Sequence, residues 1–284
     1  MVGDRRYTIA IALNLGFVVV ETGAGFIANS TALLADAAHN LSDVLGLALA
    51  GGATLLAKRA ASDQRTYGYS KATVLAALAN ALVLVAACGG ILFEALQRLT
   101  QPTTLQPLLV MVMAAGGVII NGATALLFIA DRKHDVNVRG AFLHMLGDAG
   151  ISAGVIIAGA LIWWTHASWI DPLASLIIVA VIFWTTWGLL RESLDLAMDA
   201  APAHINVNDV RDYLCKQDGV TAVHDLHVWA MGATAPALTA HLVCPAGSDD
   251  AFLAKITDGI AHEFGIEHVT LQIERAQRDH CAEC

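Results

Sequence analysis

The sequence predicts an α-helical membrane protein with six transmembrane helices and a C-terminal α+β domain of α-β-β-α-β order. The chain has 284 residues, of which 56% are hydrophobic and only 14% charged, and its mean hydropathy is +0.60. Long apolar runs recur through the first two thirds of the chain, whereas the last third alternates like a soluble module. A bilayer core requires roughly 20 apolar residues per helix, so the apolar runs indicate membrane spans.

Six apolar runs are long enough to span a bilayer. The first follows Asp4-Arg5-Arg6 and exceeds the length of a signal-peptide core, so we interpret it as a retained helix. The predicted spans are 7–28, 33–57, 72–98, 105–130, 138–164 and 170–190.

The distribution of Lys and Arg predicts the orientation, because basic residues concentrate at cytoplasmic loops. With the N-terminus in the cytoplasm, only Arg98 lies near an outer end. We therefore expect both termini to be cytoplasmic. For the location of this integral membrane protein we expect the bacterial inner membrane. The ten basic residues at cytoplasmic ends are Arg5, Arg6, Lys58, Arg59, Arg65, Lys71, Arg132, Lys133, Arg139 and Arg191.

The chain after Pro202 reads as a small soluble domain. Its acidic balance, twelve Asp and Glu against five Lys and Arg in residues 200–284, suits cations and argues against nucleic acid. We expect a six-helix transmembrane domain over 1–200, a cytoplasmic domain over 201–275 that binds cations, and a tail over 276–284. The predicted elements are a helix capped by Asn206 or Asn208 and ending near Gln217, strands Val220–Ala230 and Ala237–Val243, a helix from Asp249-Asp250 to about Phe264, and a strand His268–Glu274.

Two His-x-x-x-Asp patterns lie inside predicted spans, His39 with Asp43 and His144 with Asp148. Residues four apart share one helix face. Ionisable side chains at membrane depth are costly and face a cavity or each other. If the second and fifth spans are antiparallel neighbours, the two pairs supply two nitrogens and two carboxylates, a set suited to tetrahedral Zn²⁺. The alternative is that each histidine merely hydrogen-bonds a neighbouring helix.

Several longer segments resemble the cation diffusion facilitator family, whose members export Zn²⁺ and related ions. The resemblance covers nearly the whole chain. The matching segments are STALLADAAH at 30–39, RTYGY at 65–69, VHDLHVW at 223–229 and HVTLQIE at 268–274.

This resemblance implies that His39, Asp43, His144 and Asp148 form a transport site. It also implies a homodimer, proton-coupled antiport and a metal-binding cytoplasmic domain. Some members carry a further metal site between the second and third spans. The matching positions here are Arg65 and Tyr69, so we expect no metal at that place.

Metal candidates in the C-terminal domain are His224, His227, His241 and Glu274. His224 and His227 are three apart, so regular strand alternation puts them on opposite faces, and one shared site requires a distortion. The tail carries Cys281 and Cys284 as Cys-x-x-Cys; thiolates favour Zn²⁺, and a terminus without a metal role is the alternative.

Three function classes compete: a secondary transporter exporting Zn²⁺ (or Cd²⁺, Co²⁺ or another divalent cation) in exchange for protons, a membrane-bound metal sensor, and an intramembrane metalloenzyme. No His-Glu-x-x-His pattern is present, which counts against the enzyme. No Walker-type loop is present either, which favours a gradient over ATP as the energy source. We expect a transporter rather than an enzyme.

The role of Glu21, in the first span, stays open between the proton path, support of the metal site and a structural hydrogen bond.

Overall fold

The computed structural model describes the backbone of residues 5–101, 103–128 and 136–276, and the side chains of 12–101, 103–126 and 142–276. Its first part consists of six long helices, as the apolar runs predict. The sixth extends seven residues beyond its predicted end. The helices are α1 (Arg5–Ala28), α2 (Thr31–Ala57), α3 (Ala72–Thr100), α4 (Pro107–Phe128), α5 (Val136–Thr165) and α6 (Ile170–Ala197).

Five of these helices are long and apolar enough to cross a membrane, and α1 contributes a shorter apolar stretch over Ala12–Ala28 within the described residues. The predicted helical membrane domain is therefore confirmed. Its interior contains small residues such as Ala28, Ala32, Ala35 and Ala114, all at most 1% exposed. Small side chains let helix backbones approach closely, as membrane helix packing requires.

Asp171, in the first turn of α6, caps the start of α2. Its Oδ1 accepts from the Ser30 hydroxyl at 2.5 Å. Its Oδ2 accepts from the Thr31 backbone N–H at 2.7 Å and the Thr31 hydroxyl at 2.8 Å. Helix N-termini leave backbone N–H groups unpaired, so this buried carboxylate fixes the starting point of α2 and thereby the phase of its side chains.

The C-terminal domain has the predicted α-β-β-α-β order. The elements are α7 (Val207–Cys215), β1 (Ala222–Gly232), β2 (Ala235–Val243), α8 (Asp250–Phe264) and β3 (His268–Glu274). Helix α7 has Asn206 as its N-cap and ends at Cys215, two residues before the predicted end. The strand order is β1-β2-β3, in which β1 is antiparallel to β2 and β2 is parallel to β3.

The core of this domain lies where the sheet packs against α7 and α8. Leu214 of α7, Leu238 and Leu242 of β2, and Ile256 and Ile260 of α8 are all fully buried. Burying a side chain of this size contributes about 1.5–3 kcal/mol, so these residues hold the two helices to the sheet and keep β2 in the centre.

The chain divides into two compact units. One comprises Met1–Gly51 with Ala79–Gly188, and the other Gly52–Leu78 with Leu189–Cys284. The second unit therefore groups the C-terminal domain with one end each of α2, α3 and α6. Within it, Lys71 forms an ion pair with Asp199, and the Thr73 hydroxyl accepts from the Ala233 backbone N–H at 3.0 Å.

Candidate metal centres

Each His-x-x-x-Asp pair lies on a continuous helix, His39 and Asp43 on α2 and His144 and Asp148 on α5. The four-residue spacing therefore places both members of a pair on one face. The structure brings the two faces together, and we name the resulting group of four side chains the helix tetrad.

The tetrad is a closed ring of alternating imidazoles and carboxylates. His39 Nε2 lies 3.2 Å from Asp148 Oδ1 and 3.9 Å from Asp43 Oδ2. His144 Nε2 lies 3.2 Å from Asp43 Oδ2 and 3.8 Å from Asp148 Oδ2. The two imidazole rings meet edge to face with centroids 5.9 Å apart. Each histidine thus contacts both aspartates, one of them on the opposite helix.

These distances fit a tetrahedral metal. Zn²⁺ binds nitrogen and carboxylate oxygen at about 2.0–2.2 Å, and an edge of a tetrahedron is about 1.63 times that length, so neighbouring ligand atoms lie roughly 3.3–3.6 Å apart. The four nitrogen–oxygen separations of 3.2–3.9 Å bracket this range. Single ligand atoms of His39, Asp43 and Asp148 also lie within 4.8 Å of one another.

The tetrad is open on one side. The side chain of Asp148 is 4% exposed and that of His39 12%, whereas Asp43 is 24% and His144 43% exposed. Asp43 and His144 therefore form the accessible side of the tetrad, and His39 and Asp148 form its buried side.

Polar residues close to the tetrad in the sequences of α2 and α5 form hydrogen bonds that the sequence analysis did not predict. The Ser152 hydroxyl, one turn beyond Asp148, donates to Asp36 Oδ2 at 2.7 Å. Asn40 Nδ2 donates to Glu21 Oε2 at 3.3 Å. Asp36 and Ser152 are both fully buried. A carboxylate three residues before His39 in an apolar helix was the available signal for Asp36, because such groups at membrane depth normally have a function.

The C-terminal domain contains a second group, which we name the C-terminal cluster: His224, His241 and Glu274. His224 Nε2 lies 3.1 Å from Glu274 Oε2, and His241 Nδ1 lies 3.4 Å from Glu274 Oε1. One ligand atom from each residue falls within 4.8 Å of the others. Because the three residues come from β1, β2 and β3, strand pairing assembles this cluster.

A β-bulge in β1 supplies the distortion that His224 and His227 require. His224 pairs with His241 and His227 with Thr239, so two residues of β1, Asp225 and Leu226, oppose one residue of β2. Asp225 has a φ of 51°, which marks the irregularity. The extra residue restores His224 and His227 to the same face of the sheet.

His227 nevertheless lies beside the cluster rather than in it. Its Nε2 contacts Asp225 Oδ1 at 2.9 Å, and Asp225 Oδ2 reaches His241 Nε2 at 3.4 Å. Asp225 therefore connects His227 to the cluster. The sequence analysis missed this role because regular strand alternation places Asp225 and His224 on opposite faces of the sheet.

The carboxylates of this region are held in their charged forms. The pKa of Asp225 lies below its ordinary value because His227 hydrogen-bonds to it and the histidine charges nearby outweigh its burial. Burial raises the pKa of Glu274, but hydrogen bonds from Gln272 and His224 and the nearby histidine charges produce a net lowering. Both groups are thus available as metal ligands or as partners of charged imidazoles.

Two further predicted positions complete the description. Cys281 and Cys284 lie outside the described residues, so their metal role stays a prediction. Arg65 donates from Nη1 to the Tyr69 hydroxyl at 2.6 Å, and its guanidinium lies 4.6 Å from the centroid of the Tyr69 ring. At this place the two side chains bind each other.

The six helices define a helical membrane domain, and the tetrad is a candidate divalent-cation site between two of them. Residues 7–196 match the family described as cation efflux transmembrane domain. Residues 202–276 match the cation efflux protein, cytoplasmic domain. The first match ends one residue before the end of α6, and the second begins in the segment between α6 and α7.

Relatives match over nearly their whole length. The chain is 32% identical over 278 residues to the cadmium, cobalt and zinc/H(+)-K(+) antiporter of Bacillus subtilis (strain 168), covering 96% of this chain and 89% of the relative. It is 34% identical over 273 residues to the zinc transporter ZitB of Escherichia coli (strain K12), covering 95% and 87%.

A solved structure, the metal-bound C-terminal domain of the CzcD transporter, is 30% identical and covers 25% of this chain and 99% of its own, with a TM-score of 0.23. The full-length metal cation efflux system protein CzcD of Cupriavidus metallidurans is 34% identical over 275 residues, covering 96% and 87%.

This chain belongs to the cation efflux family, the cation diffusion facilitators. The resemblance found in the sequence is confirmed. Members of the family are transporters rather than enzymes, and the chain is an integral membrane protein of divalent metal efflux.

Proposed function

We propose that this protein exports Zn²⁺ from the cytoplasm in exchange for protons, with His39, Asp43, His144 and Asp148 as the transport site. The observation that carries the proposal is the closed ring of four alternating ligands at 3.2–3.9 Å. Two helices each contribute one histidine and one aspartate, so a shift of α2 against α5 would open or close the coordination sphere.

The ligand set supports Zn²⁺ as the main substrate. Two neutral imidazoles and two carboxylates carry a charge of −2, which a divalent ion cancels, and a neutral complex lowers the cost of a charge inside the membrane. Tetrahedral nitrogen and oxygen ligation suits Zn²⁺ and related ions, whereas Mg²⁺ and Ca²⁺ prefer six or more oxygens. The relatives' names, which include zinc, cadmium and cobalt, agree with this choice.

Proton exchange follows from the same ligands. Metal binding requires neutral imidazoles and deprotonated carboxylates, so protons and metal compete for the tetrad. When the site returns empty, His39 and His144 can carry protons, because imidazole titrates near physiological pH. An antiporter that exchanges H⁺ is among the relatives, which supports this mechanism.

The C-terminal domain, residues 201–275, acts in this proposal as the metal-binding and dimerisation domain. Both termini lie in the cytoplasm of a cell with the protein in its inner membrane, consistent with the ten basic residues at one side of the predicted spans. The C-terminal cluster binds a regulatory metal ion through His224, His241 and Glu274. Bound metal favours whichever dimeric state binds it more tightly.

Metal uptake into sealed proteoliposomes tests the proposal. Vesicles with an imposed pH gradient are exposed separately to Zn²⁺, Cd²⁺, Co²⁺ and Mg²⁺, and both metal and proton movements are recorded. Zn²⁺ uptake with opposite proton movement is expected, and Mg²⁺ uptake is not. Metal binding without flux would instead identify the protein as a metal sensor.

A further inference from the structure

Two carboxyl groups that the transport site does not use lie buried in the helical unit. Glu21 of α1 and Asp36 of α2 are both 0% exposed. They lie within hydrogen-bonding reach of each other. Two adjacent buried carboxylates repel each other and lack water to disperse the charge, so ionising both is costly. We name these two residues the carboxyl pair.

The hydrogen bonds around the pair leave one oxygen on each residue without a protein donor. Asn40 donates to Glu21 Oε2 at 3.3 Å and Ser152 to Asp36 Oδ2 at 2.7 Å. Among the described residues no donor reaches Glu21 Oε1 or Asp36 Oδ1. An ionised carboxylate only accepts hydrogen bonds, whereas a protonated one can donate. A single proton on the pair therefore supplies the missing donor.

The carboxyl pair is connected to the tetrad through both helices that carry the tetrad, α2 and α5. Asp36 precedes His39 by three residues, about 4.5 Å along the helix axis. Ser152, which holds Asp36, follows Asp148 by one turn of α5. The charges of His39 and Asp148 act on Asp36, and the charge of Asp36 acts on Glu21. A divalent ion in the tetrad would repel a proton held on the pair.

We propose that Glu21 and Asp36 form a proton-binding site, separate from the metal ligands, whose proton is expelled when a divalent metal ion occupies the tetrad. The proton leaves as H⁺ to water, and the pair then carries one more negative charge. Metal binding favours this release because the metal cancels the charge of −2 on the tetrad, which had helped to hold the proton on the pair. The proposal rests on the metal–proton exchange proposed above.

Proton release on metal binding is the direct test. Zn²⁺ is added to the purified full-length protein in weakly buffered detergent solution containing a pH indicator. We expect Glu21→Gln to release about one proton fewer per protein chain than the unmodified protein, because the amide keeps the contact with Asn40 but holds no titratable proton. Glu94→Gln, a half-exposed carboxyl on α3, is the matched control and should release the full number.

Infrared difference spectroscopy tests the unmodified protein and does not depend on any variant folding. The C=O stretching band of a protonated carboxyl group should be present without metal and vanish when Zn²⁺ is added. The band should be absent from Glu21→Gln and from Asp36→Asn. An unmodified protein without a metal-sensitive band, or a folded Glu21→Gln variant that binds Zn²⁺ and releases the full number of protons, would overturn the proposal.

Two controls separate this proposal from its alternatives. If the unmodified protein in vesicles moves Zn²⁺ without protons, the proposed exchange itself fails. If protons move in equal numbers with and without Glu21→Gln, only the carboxyl pair fails. Replacing K⁺ by a large organic cation should leave proton release unchanged, and proton release that rises when K⁺ is removed would show that the pair holds K⁺ instead.

Discussion

The helix tetrad and the C-terminal cluster use the same two ligand types but are assembled in different ways. The tetrad consists of two i,i+4 pairs, each fixed by the geometry of one helix, and only the approach of α2 to α5 is non-local. The cluster takes its three ligands from three strands, so sheet register and a bulge determine it. A site between two helices can open when they shift, whereas a site across a hydrogen-bonded sheet is fixed. The first arrangement suits transport and the second suits a bound regulatory ion.

The largest effect is expected from removing one ligand of the tetrad. Asp148→Ala should reduce Zn²⁺ flux by more than about 100-fold, because even outer partners of metal ligands contribute 10–100-fold to affinity. Flux in proteoliposomes, normalised to folded protein, measures this. Asp195→Ala, an exposed carboxylate on α6, is the control, and near-normal flux in Asp148→Ala would rule out the tetrad as the transport site.

The second prediction concerns protons. Acidifying the side from which the metal enters should weaken Zn²⁺ uptake, since each ligand proton that must leave costs about tenfold in affinity per pH unit below its pKa. Collapsing the pH gradient with an ionophore should stop concentrative uptake altogether. Uptake rates measured against pH, with and without ionophore, test both statements, and concentrative uptake that continues after collapse would refute the exchange.

These two predictions rest on features that the sequence made visible, and the reason is local geometry. His39 with Asp43, and His144 with Asp148, share helix faces whatever their surroundings. Helix spans and caps such as Asn206 follow equally local rules. The contact between the two pairs was inferred from antiparallel spans, and the carboxyl pair of Glu21 and Asp36 required the structure, because α1 and α2 had to be brought together.

The C-terminal cluster was harder to predict because one extra residue changes the face of every residue after it. Regular alternation separates His224 from His227, and the bulge at Asp225 reverses that result. Nothing in the local residue pattern distinguishes a bulged strand from a regular one here. Asp225 was missed for the same reason.

A moderate effect is expected from the cluster. Glu274→Gln should reduce the rise in melting temperature that Zn²⁺ causes in the full-length protein, because it removes the carboxylate between His224 and His241. Flux at saturating Zn²⁺ should fall less than about tenfold, in contrast to the tetrad. Asp218→Asn, an exposed acid after α7, is the matched control. A Zn²⁺-dependent rise that is unchanged in Glu274→Gln would remove this residue from the cluster.

The smallest effect concerns acid stability. The pKa of Asp225 is lowered in the folded protein, so its contribution to stability is present above the ordinary carboxyl pKa of about 3.9 and is lost as the pH falls through the lower folded value. Asp225→Asn should therefore lower the melting temperature slightly at neutral pH and remove part of its decline in acid. Melting temperatures of the two proteins are measured across the acid range. A constant difference between them at every pH would contradict this assignment.

X-ray absorption at the zinc edge tests the central claim most directly. The full-length protein carrying His224→Ala and Glu274→Gln, which disable the C-terminal cluster, is loaded with one equivalent of Zn²⁺. The account predicts four nitrogen or oxygen neighbours at about 2.0–2.2 Å, with the multiple scattering of two imidazoles. Asp148→Ala in the same background should lose this signature. A sulfur neighbour, six oxygens, or an unchanged spectrum in Asp148→Ala would contradict a metal site built from His39, Asp43, His144 and Asp148.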